Sequence, residues 1–272
     1  MHFAGEVARV ATSPFLVAGS SRPLVSVREV LRHDRTLGDR GSGLERREEL
    51  CVCQLVNPAA GETLASFPAT TPEALEAALA LAESAFLEWA ASTFERRREA
   101  LTRVATLLRE RSTQLAERMA LEMGKPLPQG AAEVEKCAFV REYFAEHAEA
   151  FLADEPAQLE FRASTAYRPL GPVLAIMPWN FPLWQAFRFL APTLMAGNVG
   201  LLKHAENVPG CAEDLISVLD DAGVPPGVFQ NLRLPVERVA AVIASREVRA
   251  VTLHGIDPCG AIGRQSCGGL SQ

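Results

Sequence analysis

The 272 residues carry a formal charge of −6 and 48% apolar side chains, the composition of a chain that can bury a large α/β core. A pI near 5.5, with no basic stripe interleaved with aromatics, excludes an electrostatic nucleic-acid surface. No stretch approaches the roughly 18 uninterrupted apolar residues of a membrane helix, and the start lacks a secretory h-region.

Residues 1–52 hold eight Arg, no Lys and seven acids, with Gly38, Gly41 and Gly43 breaking any period. They read as a poorly ordered extension unmatched to the rest. Its arginines allow a transit peptide, but Glu6, Glu29 and Asp34 argue against one, and a cytoplasmic location is expected. Cys51, Cys53, Cys137, Cys211, Cys259 and Cys267 show neither repeated CxxC nor a His at metal-ligand spacing. Reduced thiols are the expected state, and Cys51 with Cys53 supplies too few ligands for a metal.

Order begins at "VNPAAGETLASFPATT", where "NPAAGE" sets turn residues between two apolar stretches and predicts a hairpin. A helix follows from Thr70 or Thr71, with Pro72 in its first turn and Glu73 placed to complete a capping box with Thr70. Leu75, Leu79, Ala82, Phe86 and Trp89 recur at helical spacing and form its inner face. A second helix is predicted from Glu95 to Met123, with Leu101, Val104, Leu108, Leu115 and Met119 inward and Gly124 and Pro126 ending it. A third is predicted from Gln129 to Leu152, with Val134, Cys137, Val140, Phe144 and Phe151 inward. "QLEFRASTAYRP" then reads as two short antiparallel strands.

From Gly171 strand and helix alternate. "PVLAIM" is a continuous apolar run, as expected of a parallel strand covered on both faces. Helical "FPLWQAFRFLAPTLMAGN", strand "VGLLKH", helix "GCAEDLISVLDDAG", strand "VFQNL", helix "PVERVAAVIAS" and strand "VRAVTLHG" follow, with a helix start at "DPCGAIG". The fold class is therefore α/β: N-terminal helices and a right-handed, doubly wound parallel sheet. Ligands of such sheets lie beyond the carboxyl ends of the strands. That rule brings residues 178–182, 203–206 and 254–260 to one crevice.

Three groups there can carry chemistry. Asn180 follows the first strand, where its carboxamide can donate to a developing oxyanion or cap the next helix through its side-chain oxygen. Lys203 and Glu206 can hold the hydroxyls of a ribose, or form a solvated pair of little energetic weight. "HGIDPCG" opens a helix whose N-terminus favours a pyrophosphate. No GxGxxG follows the first strand, so the ordinary dinucleotide fingerprint is absent.

Taken together, "NPAAGE", "EMGKP", "YRPLGPVLAIMPWNFPLWQ", "MAGN", "LLKHAENVPGC", "DAGVPPGVF" and "AVTLHG", in this order from about Asn57 to Gly263, resemble the N-terminal half of an aldehyde dehydrogenase. The likeness is greatest to the bacterial succinate-semialdehyde dehydrogenase branch. It implies a cofactor-binding domain over residues 53–272, with an oligomerisation hairpin at about 157–170. It also implies NAD as cofactor, with NADP possible, a small aldehyde as substrate, and homo-oligomers without nucleic-acid or membrane partners. By the same resemblance Asn180 is the oxyanion-hole residue, Lys203 contacts the adenosine ribose, and Glu206 is the ribose-binding acid of NAD-preferring members. Ile176, Pro178 and Trp179 line the cofactor. Pro226 and Gly227 lie near the adenine, and Gly255 and Gly260 are the two glycines of the pyrophosphate turn.

The sequence also departs from the family pattern. Ile256 and Asp257 stand where a Ser or Thr usually follows the first glycine of that turn, which removes a hydroxyl and adds a carboxylate. The ELGG strand bearing the general-base Glu, and the nucleophilic Cys beyond it, do not follow, and Cys267 is not at the nucleophile's place. The catalytic domain is therefore expected to be absent, and this chain alone is expected to be inactive. A non-catalytic nucleotide-binding or interaction module is the competing expectation.

Overall fold

A computed structural model describes residues 52–156 and 163–255. Residues 1–51 of the extension proposed over 1–52, the predicted helix start after Gly255, and Gly260, Cys51, Cys259 and Cys267 fall outside the described residues, while Val52 opens the first strand.

Strands β1 (Val52–Val56) and β2 (Thr63–Pro68) pair antiparallel as the hairpin expected at "NPAAGE". Asn57 organises the turn: its side chain accepts from the Ala59 N–H at 2.9 Å and its carbonyl from Gly61 N–H at 2.8 Å. Gly61 sits at φ 68°, a conformation that costs a β-substituted residue more.

Helix α1 spans Pro72–Ala90 and is capped by Thr71, whose hydroxyl oxygen accepts from Ala74 N–H at 3.2 Å. The cap is therefore Thr71 and not Thr70, and with Ala74 at the third helical position no capping box forms. Thr70 instead pairs with Arg233 in both directions, Thr70 N–H to the Arg233 carbonyl at 2.8 Å and Arg233 N–H to the Thr70 hydroxyl at 3.0 Å.

The single helix predicted from Glu95 to Met123 is two: α2 (Phe94–Glu110) and α3 (Ser112–Met123). Arg111 between them leaves helical geometry at φ −97° and ψ 11°, although Arg111 N–H still reaches the Leu107 carbonyl at 3.0 Å. Ser112 and Thr113, residues that favour helix starts over interiors, allow the bend. Helix α4 (Leu127–Phe151) buries Val134, Cys137 and Phe144 as predicted, and also Glu133 and Arg141. Strands β3 (Glu155–Pro156) and β4 (Ser164–Thr165) form a short antiparallel ladder; of the two strands expected within "QLEFRASTAYRP" only β4 lies in that stretch, β3 precedes it, and residues 157–162 fall outside the described residues.

Strands β5 (Pro172–Met177), β6 (Val199–His204), β7 (Phe229–Asn231) and β8 (Ala250–Leu253) form a parallel sheet in the order β7-β6-β5-β8. Helices α5 (Pro182–Met195), α6 (Pro209–Asp221) and α7 (Val236–Ala244) connect them. Right-handed crossovers put α5 and α6 on one face of the sheet and α7 on the other. Helix α1 packs on β5, β6 and β7, while α2 and α4 pack on α5. Every residue of β6 is buried, which is why that strand reads as an apolar run without alternation. The chain steps from β5 outward to β7 and returns to β8, so the topological switch point lies between β5 and β8, at their carboxyl ends.

Candidate functional site

Asn180 lies just past β5, in the segment between Met177 and the start of α5. Trp179 and Asn180 are exposed and Pro178 is half-buried. The Asn180 carboxamide makes no hydrogen bond among the described residues. Its backbone carbonyl accepts from Lys125 Nζ at 3.0 Å, and that ammonium also lies 4.1 Å from the centroid of the Phe181 ring. Lys125 is ion-paired with Glu133, and the two side chains are only 5% and 1% exposed.

The cap of α5 bears on the helix-cap reading of Asn180. Helix α5 has no side-chain cap from its own N-terminal residue, Phe181. Glu133 Oε1, reaching across from α4, accepts from Leu183 N–H at 2.9 Å and Trp184 N–H at 2.8 Å. The donors an Asn cap would satisfy are already taken by Glu133, and the exposed Asn180 side chain does not cap α5.

His204, at the end of β6, closes the other side of this loop. Its Nδ1 accepts from Ala205 N–H at 2.8 Å, which leaves the proton on Nε2, and Nε2 donates to the Pro182 carbonyl at 2.9 Å. Burial, and secondarily the positive charge of Lys203, push the imidazole down to about 4, against the opposing bond to Pro182. His204 is neutral at physiological pH.

Lys203 pairs in register with Ile176, and its Nζ lies 3.6 Å from Glu206 Oε1, with the lysine side chain 7% and the glutamate 50% exposed. At that distance both retain capacity for a third group between or beside them. His204, Glu206, Pro209, Asn231, Arg233 and Leu234 line one small crevice beyond the strand ends, with Cys53 of β1 on its wall. Arg233 is committed there: it pairs with Glu213 at 2.5 Å and donates to the Pro68 carbonyl at 2.8 Å. The N-terminus of α6 is also occupied, because Glu122 accepts from Gly210 N–H at 2.6 Å and Cys211 N–H at 2.8 Å. Burial raises the Glu122 carboxyl while the bonds from Cys211 and Gly210 oppose it. That helix end is a filled carboxylate site and not a phosphate cradle.

Of the residues singled out from sequence, Ile176, Pro178, Trp179, Asn180, Lys203, Glu206 and Gly255 gather at the carboxyl ends of the strands. Gly255 follows β8, where His254 N–H bonds the Ile176 carbonyl at 2.9 Å. Pro226 and Gly227 do not join them. They precede β7 and therefore lie toward the opposite end of the sheet, where a Cβ on Gly227 would meet Leu81 and Ala85 of α1 at 2.8–2.9 Å. The turn "GVPPG" is a packing device against α1, and the residues that follow β7, Arg233 and Leu234, hold the place at the crevice that was assigned to it.

Sequence reasoning missed Lys125, Glu133, Asn231, Arg233 and Leu234, and gave no role to His204 although it placed residues 203–206 at the crevice. One signal was present: Glu133 occurs beside Val134 on the inward stripe of α4, and an acid on a buried face demands a partner. Among the described residues no cluster of three or more His, Cys, Asp or Glu could hold a metal, and no helix is long and apolar enough to cross a membrane. Cys137 and Cys211 are buried, and burial raises both thiols far above the usual range, which leaves them unreactive.

Comparison with known proteins bears on the family and the fold. Residues 46–269 match the aldehyde dehydrogenase family. Succinate-semialdehyde dehydrogenase [NADP(+)] 1 of Mycobacterium tuberculosis is 48% identical over 220 residues, covering 79% of this chain and 47% of that protein. A probable succinate-semialdehyde dehydrogenase [NADP(+)] of Synechocystis is 45% identical over 207 residues, covering 76% and 46%. The structure of succinic semialdehyde dehydrogenase from Streptococcus pyogenes with NADP+ as cofactor superposes with a TM-score of 0.76 at 32% identity, over 78% of this chain and 48% of that one. The chain spans about half the length of the curated relatives it matches.

Proposed function

Because this chain belongs to the aldehyde dehydrogenase family, we propose that it forms the nucleotide-binding half of an NAD(P)-dependent dehydrogenase acting on a small aldehyde, succinate semialdehyde foremost. The observation that carries this reading is the uncommitted Asn180 carboxamide at the same sheet edge as the Lys203–Glu206 pair.

The residues present fit a dinucleotide. Lys203 Nζ can donate to, and Glu206 can accept from, the hydroxyls of an adenosine ribose, while Ile176, Pro178 and Trp179 wall the adjacent crevice and Gly255 lies at its far side. Bound there, the dinucleotide supplies the hydride acceptor. Asn180 contributes an amide N–H to the aldehyde oxygen as it gains charge, an interaction of about 2.7–4 kcal/mol in comparable oxyanion sites.

Electrostatics favour NAD over NADP. The relatives named above carry NADP(+) in their names, but a 2′-phosphate here would meet the Glu206 carboxylate, and the nearby Arg233 is already neutralised by Glu213. Glu206→Ser is expected to weaken NAD+ by about 10-fold or more, the loss of one charged hydrogen bond, and to strengthen NADP+. Calorimetric titration of both nucleotides checks it, and unchanged preference in the variant would sink the assignment.

A second reading, a nucleotide-binding module without turnover of its own, is favoured by the thiols. The two cysteines buried in the described core are unreactive, and the buried acid next to the loop, Glu133, is fully engaged by Lys125, Leu183 and Trp184. We therefore expect the purified chain to bind NAD without oxidising succinate semialdehyde. NADH formation above that of an Asn180→Ala control would overturn this. The β3–β4 ladder is assigned to subunit contact, which light scattering of the purified chain tests: a strictly monomeric mass would remove it.

A further inference from the structure

We propose that Glu133 is a positioning residue for Asn180. By capping α5 from a neighbouring helix, it relieves Asn180 of that duty and leaves the carboxamide available to a substrate oxygen. The inference rests on the oxyanion reading of Asn180 given above.

A helix start has several N–H groups without intrahelical partners, and an Asn just before it is among the preferred side chains for them. Asn180 lies one residue before the cap position held by Phe181; with the donors of α5 unmet, its side-chain oxygen would turn back onto them, and that would fix where its amide N–H groups point. Glu133 removes the competition. Its Oε1 takes both Leu183 N–H and Trp184 N–H, and its other oxygen takes Lys125. Lys125 in turn holds the Asn180 carbonyl at 3.0 Å, and His204 holds the Pro182 carbonyl at 2.9 Å. Three buried polar side chains thus fix the backbone from Asn180 to Trp184 while none touches the Asn180 carboxamide. For stability alone this is an expensive solution: a buried ion pair gains little over apolar packing, and an Asn cap already present in the sequence would serve the helix.

The test compares Asn180→Ala, Glu133→Gln, Glu133→Ala and the Glu133→Ala/Asn180→Ala double variant of the full chain. It uses thermal unfolding and the side-chain amide resonances of Asn180 in protein labelled with 15N-asparagine. Asn180→Ala alone is expected to leave Tm within about 1 °C of the parent, since the amide makes no bond. In Glu133→Ala the Asn180 amide is expected to shift as it swings onto α5. In that background Asn180→Ala is expected to lower Tm by a further 2–4 °C or so, the loss of one cap. Glu133→Gln keeps the acceptor oxygen and is expected to restore the parent resonances, a rescue that a general loss of core packing would not show.

A fall of several degrees in Asn180→Ala alone would show the amide to be structural and overturn the proposal, even if Glu133→Ala fails to fold. Unmoved Asn180 resonances in a folded Glu133→Ala would overturn it as well. No readout requires turnover, so failure of NAD or aldehyde chemistry defeats the reading of Asn180 without changing these outcomes.

Discussion

Two buried basic side chains carry the clearest energetic consequences at the residue scale. Arg141 in α4 is fully buried, and none of its three guanidinium nitrogens has a hydrogen-bond partner. Its compensation is the Phe187 ring 3.6 Å below, and burial pulls its pKa down to about 9. A desolvated cation–π contact contributes about 2 kcal/mol, less than the several kcal/mol that burying an ion costs. Arg141→Met fills similar volume and keeps a sulfur against the ring. It is expected to raise stability by about 1–4 kcal/mol in urea unfolding, and a lower midpoint would mean the guanidinium has a partner in solution. Burial depresses His204 in the same sense, and its window falls at lower pH. Its folded value, about 4, lies below the ordinary 6.5, so the unfolded chain binds the extra proton first. Its contribution, on the order of 3 kcal/mol, is present above pH 6.5 and is lost as pH falls toward 4. Replacing it by Gln is expected to flatten the pH dependence of the urea midpoint across that window; equal slopes for parent and variant would exclude the role.

At the scale of elements, the turn before β7 gives the sharpest prediction. Gly227 has φ 85°, and a Cβ there would lie 2.9 Å from the Leu81 carbonyl oxygen, a backbone atom of α1 that cannot rotate aside. The left-handed conformation alone costs a non-glycine residue about 1–2 kcal/mol, and the contact adds to it. Gly227→Ala is therefore expected to lower Tm by about 4 °C or more while leaving nucleotide affinity unchanged, because the turn is remote from the strand ends. Weakened NAD+ binding at unchanged stability would return this turn to the crevice. The same turn shows what was legible in the sequence. Alternating strands and helices were readable because each is specified locally, by apolar runs such as "PVLAIM" and by helical spacing. The switch-point rule then located Asn180, Lys203 and Glu206 without further information. Pro226 and Gly227 were misplaced because a motif records adjacency along the chain, whereas the crevice belongs to the residues after a strand and not those before it. Glu133, Lys125 and Arg233 act across separations of 50, 55 and 163 residues, and no local pattern encodes which partner they find. The bend at Arg111 was hidden for the converse reason: the inward stripe continues through it, so periodicity reports one helix.

Across the whole molecule, the N-terminal helices and the sheet share one apolar core that runs from Leu79 through Leu108 and Val134 to Leu201 and Val242. Polar ties cross the same boundary. Trp89 in α1 donates its indole N–H to the Leu194 carbonyl at the end of α5 at 3.0 Å, and Arg97 in α2 reaches the Met195 carbonyl at 2.9 Å. Glu122 and Glu133, both carried by the helical layer, cap the two helices that cover one face of the sheet. Surface pairs such as Arg109 with Glu135 and Glu142 add little, roughly 0.2–1 kcal/mol each in exposed positions; the buried ties couple the layers, because breaking one strands a charge or a donor in the core. Helices and sheet are therefore expected to unfold together. Far-ultraviolet circular dichroism reports all seven described helices, and tryptophan fluorescence reports the Trp89 boundary, the loop at Trp179 and the first turn of α5 at Trp184. In a two-state transition the midpoints coincide. Glu133→Ala, by uncoupling α4 from α5, is expected to separate them, with the fluorescence of the loop melting first. Coincident curves in the variant, or separate ones in the parent, would show that the coupling lies in the apolar core and not in the carboxylate caps.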